Sequence, residues 1–321
     1  MNKLRIIFMG TPRFALPSLQ ILVDRSEQIA AVVTQPDRPA GRGQHIVPPP
    51  IKELALKHHL PVLQPGKVRD SQFIAQIKEL SPDLIVVVAF GQILPRSLLD
   101  IPPYGCVNVH ASLLPFYRGA APINWVLING ETETGVTLML LDEGMDTGDM
   151  LLQEKLPIVP EDTVATLHDR LAQNGARLLG KALDELGSAG WTSIPQDHAK
   201  ATYAPLLKKE DGLIQWQKSA REIHNQIRGM NPWPGCFTYF NGKLLKVFAV
   251  EVGEQQAKET PGSIIEISES GITVATGTDS LILKEIQLEG KKRLSVEEFV
   301  KGKAIKAGDI LTGFMPLSSA L

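Results

Sequence analysis

Leu84-Ile85-Val86-Val87-Val88-Ala89 is an uninterrupted apolar run, β-branched from residue 85 to residue 88. A strand with one face in water alternates polar and apolar residues. A run without alternation belongs to a strand covered on both faces, as at the centre of a parallel sheet. Working outward, Leu4-Arg5-Ile6-Ile7-Phe8-Met9 reads as a second buried strand ended by Gly10, and residues 29–34 read as a third. Thr11 as N-cap and Pro12 at the first helical position predict a helix directly after the first strand. Residues 51–59 read as a helix and 136–141 as a further strand. Between 163 and 186, Leu167, Leu171, Leu178, Leu179, Leu183 and Leu186 recur at helical spacing, and Gly187 and Gly190 close the segment. The alternation predicts an α/β fold whose N-terminal part is a doubly wound, mostly parallel, Rossmann-like sheet with helices on both faces.

After Trp191 the pattern changes. Residues 191–206 are polar and lack sustained periodicity, the character of a linker. Strand-like runs at 244–252, 263–267, 272–275 and 281–288 follow, separated by turn signals at Asn241-Gly242, Pro261-Gly262, Gly271 and Gly277. Short strands with glycine turns predict a small C-terminal β-barrel of the OB-fold type, with helical segments near 220–228 and 296–300. The expected organisation is a catalytic domain at 1–190, a linker at 191–206 and a second domain at 207–321.

Composition narrows the class. A formal charge of −2 over 321 residues gives no global basic signature, although local patches can still bind phosphate. The only cysteines, Cys106 and Cys236, lack the spacing of a zinc site or a disulfide framework, which fits a reducing compartment. No apolar run approaches the roughly 20 residues that span a bilayer, and the first residues lack a signal-peptide pattern. These features predict a soluble, cytoplasmic protein. Gly10-Thr11-Pro12-Arg13-Phe14-Ala15 carries one glycine where a dinucleotide fingerprint needs three, and no P-loop is present. Classical NAD binding and nucleotide hydrolysis are therefore disfavoured.

The chemistry concentrates in Cys106-Val107-Asn108-Val109-His110. Strand alternation puts Asn108 and His110 on one face, about 7 Å apart along the chain. An amide donor and an imidazole at that spacing can both reach one reacting carbonyl; the plainer alternative is a polar strand end that satisfies nearby backbone. Asp142-Glu143-Gly144-Met145-Asp146-Thr147-Gly148-Asp149 taken alone is most simply a solvated turn, and it lacks calcium-loop spacing. Beside His110, one of its carboxylates can orient the imidazole and favour its protonated form. Phe90, His110 and this acidic loop all follow strands, and ligands of open parallel sheets bind outside the carboxyl ends of the strands.

Asn108-x-His110, Ser112-Leu113-Leu114-Pro115, Tyr117-Arg118-Gly119-Ala120-Ala121-Pro122 and Asp146-Thr147-Gly148-Asp149 together resemble the folate-dependent formyltransferase family. Gln35-Pro36-Asp37-Arg38-Pro39-Ala40-Gly41-Arg42-Gly43 and Asn231-Pro232-Trp233-Pro234-Gly235 narrow the resemblance to the members that act on tRNA, in the right order over essentially the whole chain. The resemblance implies 10-formyltetrahydrofolate as formyl donor and the α-amine of initiator methionyl-tRNA as acceptor, with Asn108, His110 and Asp146 catalytic and no metal or covalent nucleophile required. It further implies folate contacts from Ser112, Leu113, Leu114 and Pro115, and a pterin pocket lined by Phe90, Gln92, Ile93 and Leu94. For Ile93 and Leu94, ordinary core packing is an equal alternative.

Residues 34–50 form a long connection for a compact domain. By resemblance this segment enters the tRNA acceptor end, with Arg42 and then Arg38 as contacts. Lys208 and Lys209 are candidate phosphate partners, as are Lys243, Lys246, Lys291, Lys292 and Arg293, each also readable as a solvated surface charge. Gln44 and His45 stand where the family commonly has lysines, Phe116 where it is often basic, and Gln215 where an Asp usually precedes Trp216; none touches the catalytic trio. The alternatives are a formyltransferase acting on a nucleotide-sugar or ribonucleotide amine, a hydrolase releasing formate, and a non-catalytic RNA-binding protein. No membrane or protein partner is implied.

Overall fold

The computed structural model describes residues 3–40, 45–186, 190–253, 258–302 and 305–313. Arg42 and Gln44 lie outside the described residues. The chain divides into two compact units, one of Met1–Pro122, Glu133–Ile158 and His168–Ala204, the other of Ile123–Thr132, Val159–Leu167 and Pro205–Leu321.

The first unit begins with β1 (Arg5–Gly10), α1 (Leu16–Asp24), β2 (Gln28–Val33), β3 (Arg38–Ala40), β4 (His45–Val47), α2 (Pro50–Lys57) and β5 (Val62–Leu63). There follow α3 (Ser71–Glu79), β6 (Leu84–Val88), α4 (Arg96–Leu99) and β7 (Cys106–His110). Helix α5 (Pro122–Ile128) belongs almost wholly to the second unit; β8 (Glu133–Leu140) and β9 (Met150–Pro157) return to the first, and α6 (Val164–Glu185) changes unit at His168. The strand order is β5-β2-β1-β6-β7-β8-β9. Pairing is parallel from β5 to β7 and antiparallel from β7 to β9.

Every residue of β6 is buried, as its unbroken apolar run requires. One face of the sheet, with Ile7, Met9, Val33, Ile85 and Val87, packs against Phe73 and Ile77 of α3 and Leu98 of α4. Each such side chain contributes about 1.5–3 kcal/mol on full burial. On β7 the opposite face is covered by α6: Gly175 approaches so closely that a Cβ there would lie 2.6 Å from Val109 Cγ1. The register sets Gly10 beside Val88 and Val87 beside Asn108, which brings the carboxyl ends of the central strands together.

Three local features differ from expectation. Thr11 caps no helix: Pro12 is extended, a 3-10 turn occupies Arg13–Ala15, and α1 starts at Leu16. The Thr11 hydroxyl instead donates to the Phe90 carbonyl at 3.1 Å. That carbonyl sits between Ala89 and Gly91, both at positive φ, and is free of the sheet ladder. The 34–50 connection contains the β3–β4 hairpin, with Arg38 paired to Val47. Residues 191–204, polar and aperiodic, pack along the first unit through bridges Met150–Ile194 and Arg118–Tyr203.

The second unit carries α7 (Ala220–Met230), entered through a capping box between Ser219 and Glu222. Its strands are β10 (Cys236–Phe240), β11 (Lys243–Gly253), β12 (Ile264–Ser268), β13 (Gly271–Ala275), β14 (Ser280–Leu288) and β15 (Leu294–Ser295), then α8 (Val296–Val300) and β16 (Leu311–Thr312). The antiparallel order is β12-β13-β14-β11-β10-β16, with β15 on β14. Register shifts in β11 between Val247 and Val250 bend the sheet. Backbone bonds from Ile264 N–H to Asp309 and from Leu311 N–H to Gly262 join its two ends in the manner of a barrel. Trp216 is buried inside, its indole N–H donating to Thr238 Oγ1 at 3.0 Å.

Candidate active site

The candidate site is built at the carboxyl end of β7 in the first unit. Val107 and Val109 are buried in the sheet, and alternation turns Asn108 and His110 to the other side. Asn108 is half-buried, and its amide makes no protein hydrogen bond among the described residues. His110 is 6% exposed, so its ring nitrogens must find partners within the protein. Nε2 lies 3.1 Å from the Tyr117 carbonyl, a contact that requires a proton on that nitrogen. Nδ1 faces Asp146 Oδ2 at 3.6 Å, and a second proton there makes the contact attractive.

The acidic loop separates into distinct jobs. Asp142 accepts from Gly144 N–H and Thr147 Oγ1, holding the turn together. Asp149 accepts from Ser193 Oγ at 2.9 Å. Glu143 is exposed. Asp146 alone of the four faces the imidazole, from a left-handed backbone at φ 54°, and its Oδ2 also accepts from Gly119 N–H at 2.8 Å. At Gly148 a Cβ would collide with the Leu140 carbonyl oxygen, so the loop can close against β8 only with glycine there.

Ser112 to Pro115 form the turn that leaves β7. Ser112 is buried and its hydroxyl is spent on the Phe116 carbonyl at 2.6 Å; Leu114 and Pro115 are buried too, and Leu113 is half-exposed. The turn is fixed from β8 by Thr137, whose hydroxyl donates to the Ser112 carbonyl at 2.7 Å and accepts from Leu114 N–H at 3.0 Å. Gln153 on β9 donates to both Thr137 Oγ1 and the Leu114 carbonyl. Thr137 and Gln153 escape sequence reading; the one signal for Thr137 is a hydroxyl inside the apolar run 136–141.

The second rim of the site follows β6. Phe90 and Leu94 lie in the core, whereas Ile93 is 80% exposed. For both residues the sequence offers core packing as an equal alternative to direct contact; Leu94 is buried in the core and Ile93 lies on the surface. The Phe90 carbonyl accepts from Thr11 and from Gln35 Nε2, and Gln92 Oε1 accepts from Val68 N–H. Arg38 is exposed and its Nη2 donates to Gln35 Oε1 at 3.1 Å, at the base of the β3–β4 hairpin. Lys208 and Lys209 are exposed in the second unit, at the start of a 3-10 turn. Burial pushes the Cys106 and Cys236 thiols up to about 12, which leaves both inert near neutral pH. Among the described residues, no cluster of three or more His, Cys, Asp or Glu is arranged to hold a metal ion, and no helix is long and apolar enough to cross a membrane.

Comparison with known proteins covers both units. Residues 3–183 match the family model for formyl transferase, and residues 206–304 match that for the formyl transferase C-terminal domain. The chain is 57% identical over 307 residues to the methionyl-tRNA formyltransferase of Trichlorobacter lovleyi, covering 96% of both chains. It is 55% identical over 311 residues to the methionyl-tRNA formyltransferase of Citrifermentans bemidjiense, covering 97% of both. Among solved structures, WlaRD, a sugar 3N-formyl transferase determined with dTDP and 5-N-formyl-THF, superposes with a TM-score of 0.66 at 20% identity, over 91% of this chain and 100% of that one. HypX from Aquifex aeolicus, in complex with tetrahydrofolic acid, gives 0.62 at 17% identity over 97% of this chain and 51% of its own. These last two are likenesses of fold. By its residues, its topology and its near full-length relatives, the chain belongs to the formyl transferase family.

Proposed function

We propose that this protein transfers the formyl group of 10-formyltetrahydrofolate to the α-amine of methionyl-initiator tRNA, in the cytoplasm, in support of translation initiation. The observation that carries this reading is identity above one half with methionyl-tRNA formyltransferases over nearly the whole of both chains. The site has the parts the chemistry needs. Asn108 brings an amide that no protein group occupies among the described residues, and it donates to the formyl oxygen as the amine attacks. His110, whose two ring nitrogens face Tyr117 and Asp146, supports that donor by the charge of its protonated ring beside the same developing oxyanion. Removing one such donor commonly lowers the rate by about 10²–10³. Asp146, held by Gly119 N–H, orients the imidazole and relays a proton, directly or through water, from the attacking nitrogen to the folate nitrogen that leaves. The new carbon–nitrogen bond forms first, giving a tetrahedral oxyanion whose collapse breaks the old bond, and the proton lost by the amine ends on the departing nitrogen. An α-amine titrates near pH 8, roughly, so an appreciable neutral fraction is present at neutral pH without a strong base.

Ser112–Pro115 frames the donor as a fixed turn whose Ser112 hydroxyl and Leu114 backbone are already engaged, with half-exposed Leu113 as its accessible side chain. Phe90, Gln92 and Leu94 shape the pterin pocket from behind, and Ile93 offers the exposed apolar contact. Residues 1–190 carry the chemistry. Residues 207–321, joined to them through 191–206, bind tRNA with Lys208 and Lys209 on phosphates, while the 34–50 segment approaches the acceptor end through Arg42 and Arg38. Single-turnover transfer by Asn108→Ala, His110→Ala and Asp146→Ala tests the trio. Each variant should bind tRNA normally and lose at least about 10²-fold in rate; near-normal turnover by His110→Ala removes it from the mechanism.

A further inference from the structure

Arg118 is 2% exposed, yet no carboxylate pairs with it among the described residues. Its Nε and Nη2 donate to Gln196 Oε1 at 3.1 and 2.7 Å, and Nη2 also contacts His198 Nδ1 at 3.0 Å. Facing a guanidinium, which can only donate, that imidazole nitrogen must act as the acceptor. Taking a cation out of water costs several kcal/mol, in rough terms, so a buried guanidinium held by neutral acceptors calls for a reason.

The reason lies in what surrounds it. The carbonyl of the preceding residue, Tyr117, receives His110 Nε2–H, and the N–H of the following residue, Gly119, donates to Asp146 Oδ2. The backbone centred on Arg118 thus grips both members of the candidate pair. It is itself pinned, Arg118 N–H donating to Thr202 and Ala204 N–H donating to the Arg118 carbonyl. The side-chain partner closes a second arm. Gln196, 5% exposed, uses its two amide hydrogens on the carbonyls of Asp146 at 2.9 Å and Gly148 at 2.7 Å. One guanidinium therefore connects the turn that holds His110 to the loop that carries Asp146.

The geometry points to Arg118 and Gln196 as a positioning pair that sets the separation of His110 and Asp146 from both sides, with His198 Nδ1 accepting from the same Nη2 that Gln196 holds. Neither is a catalytic residue, since each acts through the groups it holds. This inference rests on the formyl-transfer reading of the same site. Its physical basis is that a misplacement of about 1 Å in a catalytic group can lower a rate about 10²-fold.

Gln196→Glu separates the two arms. An ionised carboxylate still accepts from Arg118, and more strongly, but has no hydrogen for the carbonyls of Asp146 and Gly148. The two carbonyls lose their donor, so the variant should melt below wild type, with the stronger bond to Arg118 offsetting part of that cost and keeping it folded at assay temperature; Arg118→Ala opens a buried cavity and risks unfolding. We expect kcat for Gln196→Glu to fall about 10–100-fold with both KM values within about two-fold, and Gln196→Asn, which keeps a donor on a shorter arm, to regain part of the loss. Imidazole nitrogen NMR on the ligand-free protein gives an activity-independent readout: the His110 signals should move in Gln196→Glu. Unchanged His110 signals, kcat within two-fold of wild type, or a kcat loss that only tracks the folded fraction each overturn the proposal. A wild-type protein that transfers no formyl group fails the functional reading instead, and the His110 signals still judge the positioning pair.

Discussion

Replacing Thr137 with Val keeps the branched shape of the side chain and deletes one hydroxyl, which makes it a clean probe of how the turn after β7 is held. Thr137 is fully buried and its oxygen serves three partners: the Ser112 carbonyl, Leu114 N–H and Gln153 Nε2. Gln153 keeps its bond to the Leu114 carbonyl in the variant, so its amide is not stranded. The Ser112 carbonyl and Leu114 N–H lose the partner supplied by Thr137 inside a buried turn. A buried backbone group left unpaired costs about 1–3 kcal/mol, which puts the variant roughly 2–6 kcal/mol below wild type if neither group finds a new partner. For a unit of this size each kcal/mol shifts Tm by about 2–4 °C, so an intermediate loss of about 3 kcal/mol predicts a fall of about 6–12 °C. Thr137→Ser keeps the hydroxyl and removes one methyl, at a cost of about 1 kcal/mol. The assay is thermal unfolding by circular dichroism, followed by KM for the formyl donor, which should rise more in Val than in Ser. Equal melting of the two variants, or a Val variant within about 2 °C of wild type, refutes the reasoning.

Two further outcomes follow from the second unit. Burial, and then the positive charge of Arg228, hold the His224 imidazole below its usual range against an opposing hydrogen bond with Asn225, and its Nδ1 is buried without a partner. The unfolded chain takes up that proton near pH 6.5, roughly, before the folded one does, so the contribution to stability falls as pH drops below that value and levels off below the folded pKa. His224→Gln should therefore show a smaller loss of urea midpoint between pH 7.5 and pH 5 than wild type; an equal loss contradicts the assignment. Replacing Lys208 and Lys209 together with Ala should weaken tRNA binding and lower the slope of log affinity against log salt by about 1–2, leaving KM for the formyl donor unchanged. An unaltered salt slope places the phosphate contacts elsewhere.

The parts of the fold that could be read from sequence are those whose burial is one-sided or complete. The apolar runs of β1 and β6 carry no alternation and are buried on both faces, and the leucine spacing of α6 carries the helical period; each element appears where its pattern puts it. Other elements carry weaker signals. In α3 only Phe73 and Ile77 are buried, too few to mark a helix. In β10, Phe237 and Tyr239 occupy the outward positions between buried residues, so aromatic groups on both faces hide the alternation. The β3–β4 hairpin is held by three residue pairs in a proline-rich segment that reads as loop. At the candidate site, strand alternation is enough to put Asn108 and His110 on one face of β7, whereas Asp146 is singled out in sequence by the resemblance alone. What singles out Asp146 among four neighbouring acids is its left-handed backbone and the Gly119 amide, and these arise from contacts 27 residues apart in sequence. Buried hydrogen-bond hubs such as Thr137, Arg118 and Gln196 look like ordinary polar residues until the chain is folded.

The measurement that bears most directly on the account is formyl transfer from 10-formyltetrahydrofolate by the purified protein, offered methionyl-initiator tRNA, methionyl-elongator tRNA and a nucleotide-linked amino sugar in parallel, with an amine-free control. The account predicts formylmethionyl-initiator tRNA as the preferred product, with elongator tRNA and sugar formylated far more slowly and little formate released without an acceptor. Transfer confined to the amino sugar, or formate release that ignores the acceptor, contradicts it.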